Sequence, residues 1–202
     1  MPRTPEENER IKRIRKEQVL EAGLAVFAEK GLAAAKMSDI AKKAGVSYGL
    51  VYKYFPSKEQ LLLELVTGAF TSSQVLIDEI RKKPLPPLER LREAFVQLFN
   101  LHAQDPTAGL FYRVMLQLSL YPRLWEKLPV KDLGSEPVFR LLLETIREGQ
   151  QRGEIVDTNP QEIALVLGYI ALSLSLRGHE LLGIGSMKGE TIADLVVRMI
   201  AK

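Results

Sequence analysis

Apolar residues return every three or four positions along nearly the whole of this 202-residue chain, and nowhere do apolar and polar residues alternate for long. That spacing lays an apolar stripe along one side of a helix, whereas strand side chains change face at every residue. The chain is therefore predicted to be all-α, and glycine and proline divide it into nine or ten helices. A first helix is predicted from about Glu6 to Lys30, with Leu20, Leu24 and Phe27 on one face and Gly31 as its stop. A short one, roughly 38–44, is broken by Gly45. Another starts at Ser47 and is stopped by Pro56, and Ser57 then caps a long helix, 57–81. The clearest break is KKPLPP (82–87). Asp105-Pro106, Glu136-Pro137 and Asn159-Pro160 each place proline at a first helical position. The apolar run 163–176 is shorter than the roughly 20 residues of a membrane span and is read as a buried helix. A last helix covers about 190–201.

What the chain lacks narrows its chemistry. There is no cysteine, so disulfides, thiolate nucleophiles and cysteine metal sites are excluded together. His179 has no metal-ligand partner three or four residues away, and His102 has only Asp105, a pair too small for a protein metal site. GIGSMKG (183–189) breaks both the nucleophile-elbow and the dinucleotide spacing, because Ile184 and Lys188 stand where glycines belong. No catalytic residue, metal site or cofactor is expected, and the protein is not expected to be an enzyme. The first residues are charged and lack the apolar stretch of a signal peptide, so a cytoplasmic protein is expected. The net charge of +3 is unevenly placed: residues 1–60 hold 12 Lys+Arg against 8 Asp+Glu, and residues 61–202 hold 16 against 17. The basic excess lies in the first segment, where a polyanionic partner would be drawn.

In that segment AGVSYGLVYKYFPSKEQLL (44–62) poses a problem. It crowds Tyr48, Tyr52 and Tyr54 into seven residues and adds Gly49, which costs about 1 kcal/mol inside a helix. Two short helices joined by a glycine-containing turn describe a helix-turn-helix. Ile40, Ala41, Val46, Val51 and Phe55 would form its small core, Gly45 would take a left-handed turn conformation, and Ser47 would cap the second helix. Tyr48, Gly49, Tyr52 and Lys53 then face outward. Tyrosine hydroxyls and lysine reach phosphates or base edges, and glycine lets a backbone approach closely. The alternative is an aromatic-rich hairpin packed on the rest of the chain.

The stretch SDIAKKAGVSYGLVYKYFPSKEQLL resembles the DNA-binding signature of the TetR family of bacterial transcriptional regulators. The likeness rests on Ile40-Ala41, Ala44-Gly45-Val46-Ser47, Tyr52, Tyr54-Phe55, Ser57-Lys58-Glu59 and Leu61-Leu62, and it covers about residues 12–65. The resemblance implies base contacts for Tyr48 and Gly49, and phosphate contacts for Ser47, Tyr52, Tyr54 and Lys58. Lys53 is either a further phosphate contact or a solvated lysine. Members of the family commonly carry Ser or Thr just before the second helix. Here Lys36 stands nearby and could supply the phosphate contact instead, with Ser38 as an alternative cap. Arg10, Arg13 and Lys16 are candidates for further DNA contacts.

By the same resemblance, residues 1–56 form the helix-turn-helix DNA-binding domain and 57–202 a helical ligand-binding and dimerisation bundle. The partners implied are a double-stranded DNA operator, a second copy of the chain and a small-molecule effector. The dimer would be built from helices 137–151 and 160–180, unless these are buried within one subunit. The lining implied for the effector pocket is Phe95, Phe99, His102, Phe111, Met115, Trp125 and Tyr169, each of which would serve equally well as plain core. Their apolar character points to a hydrophobic ligand. The function expected is a repressor released from its operator by that ligand; the alternative is a regulator of the same fold controlled by a protein partner or by nothing.

Overall fold

The computed structural model describes residues 4–104, 106–118, 120–128, 136–175 and 188–202. Among them are ten helices and no strand: α1 (Pro5–Ala34), α2 (Met37–Ala44), α3 (Tyr48–Tyr54), α4 (Lys58–Lys82), α5 (Pro87–Gln104), α6 (Pro106–Leu118), α7 (Pro122–Trp125), α8 (Pro137–Gln151), α9 (Pro160–Ser175) and α10 (Gly189–Ile200). The all-α expectation holds and the boundaries agree within a few residues. The continuation of α9 expected to about residue 180, and GIGSMKG up to 187, lie outside the described residues. The four-residue helix α7 has no sequence signal beyond Pro122.

The chain divides into two compact units. One takes the residues up to Thr67 together with Arg113–Leu128, and the other takes Gly68–Tyr112 and the described residues from 136 onward. The division falls inside α4, where the sequence pointed to a boundary before it.

In the first unit, α2 packs on α1 and on α3. Its buried residues follow helical spacing: Val19, Ala22, Val26 and Phe27 from α1, Met37, Ile40 and Ala41 from α2, and Val51 from α3. Phe55, Leu61, Leu62 and Val66 follow, and Val114, Leu118 and Leu128 join them from the returning segment. Gly31 has φ 78 and ψ 159, a conformation open to glycine and little else. It breaks the regular α1 helix, so that residues 32–34 form one extra turn. By length and composition α4 could cross a bilayer, with mean hydropathy 1.3 over 18 residues. Its first turns are instead built into this unit through Leu61, Leu62 and Val66.

In the second unit, α10 packs on α5, α5 on α8 and α9, and α8 on α9. Their shared core includes Leu91, Phe95, Leu142, Ile146, Leu167, Ile192 and Val196. Glu136 caps α8 by accepting from the Phe139 N–H at 2.6 Å. Burial pushes the Glu136 carboxyl up, against the pull of the Phe139 and Val138 amides. Two lateral ties bind α4 to α8: Arg140 donates to Gln74 at 2.7 Å, and Arg81 to Glu144 at 2.7 Å.

Candidate nucleic-acid interface

The turn between α2 and α3 is made by local chemistry. Gly45 takes φ 64 and ψ 32, and its N–H closes α2 on Ala41 and Lys42. Ser47 caps α3 by accepting from the Leu50 N–H at 3.3 Å. Val51 and Phe55 are buried, which turns the other side of α3 to solvent. There Tyr48 is 54% and Tyr52 41% exposed. Their rings meet edge to face with centroids 4.8 Å apart, and the Tyr48 hydroxyl donates to that of Tyr52 at 3.1 Å. This bond is the main reason the Tyr52 phenol is held above its usual range. Gly49 and Lys53 are exposed beside them, and a Cβ added to Gly49 would meet nothing within 4 Å. Tyr54 differs from its neighbours: it is half-buried and tilted against Phe55, with centroids 6.5 Å apart.

Beside the tyrosine pair lies an open groove of about 410 Å³, bounded by Ala35–Ser38, Tyr48, Tyr52 and Pro56–Glu59. The groove thus has the start of α2 and the start of α4 on its walls. Ser57 caps α4, accepting from the Gln60 N–H at 3.2 Å. Lys36 occupies the N-cap position of α2, and a lysine side chain has no acceptor to offer. The Asp39 carboxylate accepts from the Lys36 N–H at 3.2 Å instead, so Ser38 does not serve as the cap. The Lys30 ammonium, 3.0 Å away, holds the Asp39 carboxyl below the usual range. The amides of Met37 and Ser38 are then left to an outside acceptor. A helix start with free N–H groups and a lysine beside it attracts an anion such as a phosphate oxygen.

Four basic side chains of this unit are engaged with acids: Lys12 with Glu9, Lys16 with Glu64, Lys30 with Asp39, and Lys43 with Glu29. Lys16 also sits 5.6 Å from the centre of the Phe55 ring, so it serves packing. Among the described residues, Arg10, Arg13, Lys42 and Lys53 form no ion pair, and Lys36 feels Asp39 only through space, without an ion pair. Lys58 is different again. Its ammonium donates to the carbonyls of Leu32 at 2.7 Å, Ala35 at 3.0 Å and Ala33 at 3.2 Å. Three donors meet three acceptors, and none is left for the phosphate contact expected of this residue.

The residues expected to line an effector pocket fall in both units. Phe95 is buried in the core of the second unit and Phe99 packs against it. Phe111 is half-buried edge-on to Tyr112, at 5.9 Å, and Met115 is half-buried in the first unit. The side chains of His102 and Trp125 lie outside the described residues. Tyr169 was expected inside, yet it is 68% exposed on α9 beside Leu165 and Val166. A helix apolar all round does not reveal which face its neighbours cover.

Residues 19–65 match the family model described as bacterial regulatory proteins, tetR family. The chain belongs to the tetR family. The HTH-type transcriptional repressor KstR2 of Mycobacterium tuberculosis is 37% identical over 149 residues, 74% of this chain and 66% of that protein. The chain thus spans just under two thirds of that repressor's length. The fatty acid metabolism regulator protein of Bacillus subtilis is 29% identical over 141 residues, 68% of this chain and 69% of that one. The structure of the ketosteroid transcriptional regulator KstR2 superposes with a TM-score of 0.69 at 23% identity, over 93% of this chain and 95% of that one. That of the fatty acid degradation regulator FadR from Bacillus halodurans gives 0.69 at 19%, over 98% and 96%. These likenesses fix the fold of this tetR-family protein as a helix-turn-helix module followed by a helical bundle.

Proposed function

We propose that this tetR-family protein is a cytoplasmic, sequence-specific DNA-binding repressor that works as a homodimer and leaves its operator when a hydrophobic small molecule binds. The observation that carries the reading is the outward face of α3. Tyr48, Gly49 and Tyr52 stand exposed on one side of α3 beside a groove with two helix starts on its walls. Tyr48 and Gly49 are the base-reading candidates; Ser47, Tyr52, Tyr54, Lys53 and Lys36 are the phosphate-contacting ones. Lys36, with the free amides behind it, replaces the hydroxyl residue common in the family.

Dimerisation is supported by α9, which buries Ile163, Ala164, Leu167 and Ala171 on one side and exposes Leu165, Val166 and Tyr169 on the other. Large apolar side chains adjoining on one exposed face mark an interaction surface. On α8, by contrast, Val138, Phe139 and Leu143 pack against the protein's own core. A dimeric helix-turn-helix sets its two reading helices about 34–36 Å apart, one turn of DNA.

The effector class is supported by the relatives, one named a ketosteroid transcriptional regulator and another a fatty acid metabolism regulator, and by the phenylalanines of α5. Release is a population shift: the effector must prefer the conformer that does not fit DNA. α4, with 25 residues, is about 37 Å long and is the continuous element through which such a shift would pass.

The test is selection of duplexes from a random pool, followed by a screen of steroid and fatty-acyl compounds for release of the selected duplex. Enrichment of a two-fold symmetric sequence and release by one compound class are expected. No enrichment would refute DNA binding, and enrichment without release by any compound would favour control by a protein partner.

A further inference from the structure

The turn 32–35 after Gly31 is held in an unusual way. Its carbonyls, those of Leu32, Ala33 and Ala35, converge on one point, as the ligands of a bound cation would, and the point is filled by the Lys58 ammonium. Leu32 and Ala35 are buried, whereas Lys58 itself is half-buried at the first position of α4. The residue that follows the turn is Lys36, from which α2 starts with its free amides. The same lysine thus ties the end of α1 to the start of α4, and these two points flank the groove beside Tyr48 and Tyr52.

We propose that Lys58 is a positioning residue for DNA binding: it holds the turn 32–35, and through it Lys36 and the start of α2, in the place where a phosphate would be gripped. This rests on the DNA-binding reading above, but it assigns Lys58 a role opposite to a direct phosphate contact. A charge spent on three internal carbonyls adds nothing to the neutralisation of DNA. It decides where the charges and amides that do contact DNA are found.

Two variants separate the roles. Lys58→Met keeps the length of the chain and removes every donor. Lys58→Arg keeps the charge, but a planar guanidinium fork cannot converge three donors on one point. Affinity is read by fluorescence anisotropy on a duplex that the wild-type protein has selected from a random pool. A salt series is run at a temperature where circular dichroism shows each variant fully folded. Amide hydrogen exchange is followed by mass spectrometry on the free protein.

Both variants are expected to bind at least about tenfold more weakly, the loss of one charge-assisted contact at α2, and to share the same change in salt dependence. The amides of residues 32–39 should exchange faster and the rest of the chain should not. A salt slope shallower by about 0.9 in Lys58→Met but of wild-type steepness in Lys58→Arg, which keeps the charge, would show that Lys58 contacts phosphate directly and overturn the proposal. Native affinity in the folded variants would also overturn it, leaving a lysine that only supports the fold, and so would full rescue by arginine. If the wild-type protein selects no duplex, the DNA-binding reading fails on its own. The exchange data then decide: faster exchange confined to 32–39 supports the positioning role, and unchanged exchange removes it.

Discussion

Gly49→Ala should make the protein more stable and a poorer DNA binder at once. Gly49 lies within α3, its φ is ordinary, and a Cβ built on it meets no atom within 4 Å. Alanine there therefore meets no steric penalty in the free protein and gains helix propensity, at most about 0.5–1 kcal/mol. For a chain of this size that is a rise in Tm of about 1–4 °C. Against DNA the same methyl fills the space through which the α3 backbone would approach the bases. Losing one close contact of that kind costs about 1–3 kcal/mol, roughly 5- to 150-fold in affinity. Gly68→Ala is the control. Gly68 lies in α4, and its Cβ would also meet nothing within 4 Å, so it should gain the same stability with no change in binding. Thermal unfolding by circular dichroism and anisotropy titration of a selected duplex measure the two quantities. Binding by Gly49→Ala as tight as wild type would refute the idea that glycine is placed there for approach to DNA.

Gly23→Ala should do the reverse of Gly68→Ala, because its Cβ would run into Cδ2 of the fully buried Leu61. Overpacking of about 1–3 kcal/mol exceeds the propensity gain, so urea unfolding should show a net loss, and a gain would show that Leu61 can move aside. Phe55→Ala should cost about 3–5 kcal/mol and abolish DNA binding, since Phe55 anchors the inner side of α3; a melt like that of wild type would refute this anchoring. Asp39 is held below the usual carboxyl range by Lys30, so its ionised form favours folding. That contribution is present above the unfolded carboxyl pKa of about 3.9 and is lost as pH falls through the lower folded value. The advantage of wild type over Asp39→Asn in thermal melts should therefore close in acid, and a constant gap from neutral pH to acid would exclude it. Val166→Glu sets a charge on the exposed apolar face of α9 and should convert a dimer to monomers in light scattering; an unchanged mass would place the dimer elsewhere.

Local chemistry made much of the reading head legible. Ser47 and Gly45 act within four residues of themselves, and the three-to-four spacing of Val51 and Phe55 decides that Tyr48 and Tyr52 point outward. Contacts between distant residues were not legible in this way. Lys58 finds its carbonyls 23 to 26 positions back, so nothing near it in the chain reveals that its donors are spent. Asp39 outcompetes Ser38 at the start of α2 because its carboxylate reaches back to the Lys36 amide. The buried face of α9 was hidden for a different reason: with Leu165, Val166 and Tyr169 as apolar as Ile163 and Leu167, periodicity gives no direction.

The return of Arg113–Leu128 to the first unit bears on how regulators of this kind can be recombined. A reading head cut out at Thr67 and fused to a foreign sensor would leave behind Val114, Leu118 and Leu128, which are buried in the intact chain. Such a chimera would expose the greasy patch those side chains cover and would be prone to clump. A working graft must carry two separate pieces of chain, spliced around a retained sensor, so this head is not a cassette that can be exchanged at a single junction.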